Sequence, residues 1–336
     1  MTPKHALVTG GGGFLGRYIV EQLVARGDKV RSFGRGRYPE LEALGVEVVR
    51  GDIADRNAVL QACQGIDVVY HVAALPGIAV QWPPYEQANI RGTEHVIDVC
   101  REHGVERLIY TSSPSVTFAG ADQCGVDERA PYDFDWMIAH RAHYSRSKAI
   151  AEQAVLAASD GQLRTCALRP HLIWGPRDNH LIPRLIVRAR AGRLRRVGDG
   201  ANRVDTIYVE NAAGAHLQAA DALLDASSPV AGRAYFLSQN EPANCWDWID
   251  EILALVNLPP VRKTISRRKA ERAGALLENI YRLLSLSGEP PMTRFLAAQL
   301  ATSHWFDLSA ARRDFGYAPA ISTAEGMRRL GSWLRA

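Results

Sequence analysis

An α/β chain built on a doubly wound parallel sheet, with a smaller and mostly helical lobe toward the C-terminus, is what this sequence predicts. Three observations lead there. Short apolar runs of strand length recur through the first 170 residues, each followed by a segment with helical spacing. Strands that alternate with helices in this way pair in parallel, because each crossover lays a helix on one sheet face. Beyond Pro170 the alternation loosens, and from Cys245 onward the apolar spacing is mainly helical.

Ala6–Thr9 is a buried-type strand, and Gly10–Gly16 turns it into a helix that carries Leu15, Ile19, Leu23 and Val24 on one face and ends near Gly27. Val30–Phe33, Val46–Val49 and Asp67–Val72 are the next three strands. A helix across 87–103 leads to Leu108–Ser112, and a helix starting at Tyr144 leads to Thr165–Arg169. Residues 181–191 read as helical. The run Val204–Val209 and the alanine-rich helix after it are expected to return to the main sheet, and 233–238 is a further strand. Trp246, Ile249, Ile252, Leu253 and Val256 share one helix face. The expected division is a nucleotide-binding domain over 1–170, rejoined by about 204–225, and a substrate lobe over 171–336.

With 336 residues, 47% hydrophobic and 23% charged, the chain has the composition of a soluble globular protein large enough for such a division. A formal charge of +4, with arginines scattered ahead of a local basic cluster at 262–272, argues against a nucleic-acid surface. The five cysteines are odd in number, widely spaced and without metal-ligand spacing, as expected of buried thiols in a reducing compartment. The chain enters its first strand without a charged-then-apolar leader, and no apolar run reaches the length of a membrane span. A cytoplasmic protein is expected.

The chemistry starts at the glycines. Thr9-Gly10-x-x-Gly13-x-x-Gly16 follows a strand and opens a helix, the setting a dinucleotide fingerprint requires. Gly10 permits the tight turn, Gly13 lets the backbone approach a pyrophosphate, and Gly16 lets helix and strand pack closely. At the end of the second strand, where an acid would select NAD, the sequence reads Ser32-Phe33-Gly34-Arg35-Gly36-Arg37. A guanidinium there suits a 2′-phosphate, so the expected cofactor is NADPH/NADP+. Asp52 is placed to accept from an adenine amino group or to cap the next helix. Ala73 and Ala74 leave room for a cofactor, and Asn89 is a cap or a tether for the strand ends. Thr111-Ser112-Ser113 ends the fifth strand, at the edge where open α/β sheets bind ligands. Tyr144 and Lys148 lie four apart on one helix face. An ammonium beside a phenol favours phenolate, so the pair is expected to lower the tyrosine pKa and make it a usable proton donor.

Together, the glycine motif, Asp52, Ala73-Ala74, Thr111-Ser112-Ser113, Tyr144-x-x-x-Lys148 and Leu168-Arg169-Pro170 resemble the extended short-chain dehydrogenase/reductases, from residue 6 to about 215. The resemblance implies a Rossmann-type sheet and a catalytic Ser113, Tyr144 and Lys148, with Pro170 against the nicotinamide. The cofactor contacts it suggests are Gly10, Gly13, Phe14, Leu15, Gly16, Ser32, Arg35, Asp52, Ile53, Ala73, Ala74, Tyr144, Lys148 and Pro170. Ala167–Pro176 is similar to the 3β-hydroxysteroid dehydrogenase branch. Gly288–Phe295, His304-Trp305-Phe306 and Ala311–Tyr317 are similar to bacterial reductases of 2-alkyl-3-oxoalkanoates that serve long-chain olefin synthesis.

What this implies is ketone reduction by hydride, with Tyr144 giving the proton, Ser113 holding the oxygen and Lys148 binding the nicotinamide ribose. The substrate would be lipid-like, with two long chains and a carboxylate for which His140, His143, His171, Arg177 and His180 are candidates. Ala273, Leu276, Leu277, Ile280, Leu283 and Leu284 recur at helical spacing. They fit a helix packed on the small lobe, a lid over an apolar tunnel, or an element docked on a membrane surface or a partner enzyme. A homodimer and an assembly with other pathway enzymes are the partners this reading admits. The alternatives are a 3β-hydroxysteroid or sterol-4-carboxylate dehydrogenase, and a non-catalytic NADP(H)-binding scaffold.

Overall fold

The computed structural model describes residues 4–286 and 288–336; the expected leader-free start at Met1–Pro3 lies outside the described residues. Strands His5–Thr9 (β1), Lys29–Gly34 (β2), Glu47–Arg50 (β3), Val68–His71 (β4), Arg107–Thr111 (β5), Arg164–Pro170 (β6) and Arg233–Leu237 (β7) form one sheet in the order β7-β6-β5-β4-β1-β2-β3. Every pairing is parallel. This follows from the sequence, because the consecutive apolar residues at the centres of β1, β4 and β5 point to both faces and need cover on each.

Helices Phe14–Arg26 (α1), Gly92–Glu102 (α2) and His143–Ala157 (α3) are crossovers of this sheet. Helix Leu181–Arg190 (α4) belongs to the small lobe, and Val209–Ala222 (α5) returns to the sheet. One face packs Val8, Tyr70, Ile109 and Leu168 under Ile19 and Leu23 of α1 and Ala212 and Ala219 of α5. The other packs Leu7, Val69, Leu108 and Ala167 under Val96 and Val99 of α2 and Val155 of α3.

The run Val204–Val209 departs from expectation. Residues 203–204 join a small four-stranded sheet between Ala243–Asn244 and His304–Phe306, while Ile207–Tyr208 pairs with Ile173–Trp174. The polar pair Asp205-Thr206 splits the run. The Asp205 carboxylate accepts from Phe306 N at 2.9 Å, and burial pushes its pKa up to about 6. Of this run and the helix after it, only α5 goes back to the main sheet.

Helices Cys245–Ala254 (α6), Arg267–Leu283 (α7) and Arg294–Ala301 (α8) build the lobe. Trp174, Ile182, Trp246, Trp248, Ile249 and Leu253 are its core. The leucine periodicity of α7 does not mark its packed face. Ala270, Gly274 and Glu278 are buried, whereas Leu276, Leu283 and Leu284 are exposed. A Cβ on Gly274 would lie 2.5 Å from the carbonyl carbon of Thr293, so α7 and the start of α8 meet backbone to backbone. Cys63, Cys100, Cys166 and Cys245 are buried free thiols, and Cys124 is exposed.

Candidate active site

The strand order reverses between β1 and β4, and a cleft of about 890 Å³ opens at the carboxyl ends of these strands. Its wall holds Gly10, Gly13, Phe14, Leu15, Gly16, Arg35, Asp52, Ile53, Ala73, Ala74, Tyr144 and Lys148. Three expected residues are not among those lining it. Ser32 is fully buried, its hydroxyl beneath Gly11. Pro170 ends β6, buried and paired in register with Leu237. Ser113 caps the short helical turn Pro114–Thr117, accepting from Ser115 N at 3.2 Å.

Gly10 turns the chain at φ +71°, and a Cβ there would stand 2.9 Å from Ala73 N. Gly13 is the N-cap of α1 and brings no side chain to satisfy its first-turn amides. A bare helix N-terminus opening on the cleft is a cradle for a pyrophosphate, so these residues fit a dinucleotide. Asp52 does not cap the next helix; Asp55 does, and Asp52 accepts from Ala54 N at 3.0 Å. Tyr38 was not foreseen. Its ring lies across Gly12 and Gly36 and lines the cleft, and an aromatic directly after the arginine loop was the only signal.

Helix α3 presents Tyr144 in its first turn and Lys148 one turn later. Asn89, at the centre of a wide helical turn over Glu86–Arg91, holds this helix against β4's exit. Its side-chain oxygen accepts from Leu75 N at 2.6 Å, and its amide donates to Leu75 O at 3.0 Å and to Ser147 Oγ at 2.9 Å. Ser147 in turn donates to the Tyr144 carbonyl at 2.8 Å. Asn89 is thus a tether, one of the two roles its sequence position allowed. Below it, Thr9 donates to His71 Nδ1 at 2.7 Å, and His71 Nε2 donates to Thr93 Oγ1 at 2.9 Å. Thr93 passes its own proton to the Asn89 carbonyl at 2.7 Å, which sets this histidine tautomer. Burial, with Lys148 nearby, holds His71 down at about 3, so the relay is neutral at ordinary pH.

The electrostatics correct the expectation for Tyr144. Its pKa is pushed up to about 12 by burial; the Ser113 side chain acts the other way, and Tyr85 opposes it. Lys148 is not what sets it. Its ammonium donates to the Thr111 carbonyl at 2.5 Å and stands 3.9 Å above the Tyr110 ring. Burial brings the lysine down to about 7, against the pull of Glu152. Desolvation therefore outweighs the pairwise attraction that the four-residue spacing suggested.

Of the five residues considered for a substrate carboxylate, four are otherwise engaged. His140 stacks on Trp136 at 4.3 Å, and His143 donates to Val80 O at 3.2 Å. His171 is buried and bonded to Asp205 O at 2.6 Å. Arg177 forks onto Glu21 at 2.6 and 2.8 Å. His180 is exposed and lines the cleft.

A nucleotide-type cleft at a switch point, walled by a Tyr–Lys pair, defines an oxidoreductase of the extended short-chain dehydrogenase/reductase class. The chain belongs to the 3-beta hydroxysteroid dehydrogenase/isomerase family, which its residues 7–263 match. It is similar to a 2-alkyl-3-oxoalkanoate reductase of Stenotrophomonas maltophilia, at 52% identity over 96% of this chain and 97% of that protein. A protein of the same name from Shewanella oneidensis is 48% identical, over 97% of this chain and 85% of its own length. The decarboxylating sterol-4-alpha-carboxylate 3-dehydrogenase of Mus musculus is more distant, at 33% over 97% and 90%. Among solved structures, MoeE5 in complex with UDP-glucose and NAD shares the fold at a TM-score of 0.74, with 24% identity and 98% of both chains covered.

Proposed function

We propose that the protein reduces a 2-alkyl-3-oxoalkanoate to the 2-alkyl-3-hydroxyalkanoate with NADPH, and that Tyr144 donates the proton. The near full-length identity to two reductases of that name supports the substrate. The observation that carries the chemistry is the half-buried Tyr144 phenol on the cleft wall, held up to about 12 and so protonated across the working pH range. A nicotinamide dinucleotide bound along the glycine loop supplies the hydride. Arg35 at the end of β2 is the residue for a 2′-phosphate, and Gly13 and the amides of Phe14 and Leu15 are those for the pyrophosphate. As the carbonyl oxygen gains negative charge, the phenol gives up its proton to it and Ser113 steadies the same oxygen. Lys148 stands one turn away to hold the ribose and to offset the phenolate as it forms. Exposed and otherwise unengaged, His180 is left to meet the substrate carboxylate.

The test is Tyr144→Phe, assayed by NADPH oxidation on 2-alkyl-3-oxo acids and 3-oxosteroids. Loss of about 10²–10⁴ in kcat with nucleotide binding retained is expected; a variant that keeps near-full rate refutes the assignment. Sterol dehydrogenation is the second reading, favoured by the family match and the 33% relative. Turnover of a sterol with none of the oxo acids selects it.

A further inference from the structure

Helix α7 is amphipathic with its apolar side facing out. On the lobe side, Glu278 takes Arg294 N at 2.7 Å and the Arg294 guanidinium at 2.8 Å, beside the close backbone contact at Gly274. On the other side Leu276 is 62% exposed, Leu283 75% and Leu284 66%, with Ile280 between them. The same outward stripe carries Arg272 one turn and Lys269 two turns before Leu276, and Arg262, Lys263 and Arg268 are exposed close by. Of the basic residues at 262–272, Arg267 alone is ion-paired among the described residues, to Glu271 at 2.7 Å. The surface is therefore a run of unpaired cations leading into a run of bare leucines.

We propose that this face docks on an anionic lipid surface, with the cations against headgroup phosphates and the leucines in the acyl boundary. Charge decides between occupants. A second copy laid antiparallel across a two-fold would set the basic run against the other copy's leucines and bury unpaired cations on apolar surface. A protein partner's face would be expected to carry exposed aromatics, whereas here the exposed apolar residues are leucine and isoleucine. No helix among the described residues is long and apolar enough to cross a membrane, so attachment would be to the surface.

The docked face is tied to the cleft. Just past α7, Glu289 accepts from Ile78 N at 3.1 Å and pairs with Arg184 of α4 at 2.7 Å. Ile78 follows Leu75 and Pro76, which line the cleft. A lipid-like substrate could thus enter from the bilayer beside α7; that delivery rests on the substrate proposed above, whereas the docking does not.

The experiment is co-sedimentation of the full chain with vesicles of mixed phosphatidylglycerol and phosphatidylcholine, and with phosphatidylcholine alone. Binding to the anionic vesicles is expected, falling about tenfold in about 1 M salt, where screening acts over about 3 Å. Leu283→Asp/Leu284→Asp and Lys269→Glu/Arg272→Glu should each lower the bound fraction by about tenfold while melting like the parent. Turnover of a water-soluble short-chain 3-oxo acid should be unchanged in both variants; if the parent shows no turnover yet pellets, the substrate reading falls and the docking stands. If one variant melts early, the other decides. A parent that stays in solution, variants that both pellet like it, or self-association lost in the leucine variant would overturn the proposal.

Discussion

Lys148 is buried beside Thr111 with its pKa drawn from 10.5 to about 7. Below about pH 7 the folded and unfolded chains both carry its proton, and the fold bears the full cost of a desolvated charge. Between about 7 and 10.5 the unfolded chain binds more protons, so this residue makes stability rise with pH in that window. The melting temperature of the parent minus that of Lys148→Met should therefore grow from pH 6 to pH 9, and a constant difference would show that the lysine is not desolvated. Arg35 sets the second expectation at this scale. It is exposed on the cleft wall, and a charged hydrogen bond to a 2′-phosphate contributes about 1.5–3 kcal/mol. Arg35→Ala should erase a preference for NADPH over NADH of about 10- to 100-fold in Michaelis constant; equal use of both cofactors by the parent would remove the assignment. The spacing of Tyr144 and Lys148 made their shared helix face legible in the sequence. It could not show where the ammonium goes, because its acceptor, the Thr111 carbonyl, lies far away in sequence and is supplied only by the pairing of the strands.

At the scale of elements, the helix carrying the Tyr–Lys pair is placed by Asn89, whose side chain is buried and makes three hydrogen bonds. Asn89→Ala leaves Leu75 N and Ser147 without those partners and should cost about 3 kcal/mol. It should also lower kcat/KM. Asn89→Asp, which keeps the bond from Leu75 N, should recover part of both. Loss of stability with unchanged kcat/KM would mean that the tether holds the fold and not the site. The crossovers of the main sheet were readable where an apolar strand is followed by helical spacing, as at α1, α2 and α3. Helix α7 misled for a physical reason. Periodicity reports where the leucines lie, but a stripe of Ala270, Gly274 and Glu278 lets two backbones approach more closely than leucines would, and the fold uses that stripe. The strand expected at 204–209 failed similarly, since nothing local says that Asp205 will find the Phe306 amide.

Over the whole molecule, sheet and lobe are threaded through one another. The chain leaves the sheet at Pro170, builds part of the lobe, and returns to add β7 beside β6. Gln123–Val126, which lies between β5 and α3 in sequence, pairs with His304–Phe306 near the C-terminus. Unfolding the lobe alone would strip β7's connections and leave strand 123–126 unpaired, so the two parts are expected to melt together. In a Trp82→Phe/Trp136→Phe background, which removes the rings lying over Arg146 of α3 and against His140, tryptophan reports mainly on the lobe, because Trp174, Trp246 and Trp248 are in its core and neither sheet face packs a tryptophan among the described residues. NADPH, by contrast, would bind to the sheet. At 100 times its dissociation constant a ligand adds about 2.7 kcal/mol, which for a chain of this length raises the midpoint by about 4 °C. The tryptophan transition should coincide with that of far-ultraviolet circular dichroism, and NADPH should move both by the same amount. If instead fluorescence melts first and does not respond to NADPH, the lobe is an independent unit and the cleft is roofed by a domain that can open without disturbing the sheet.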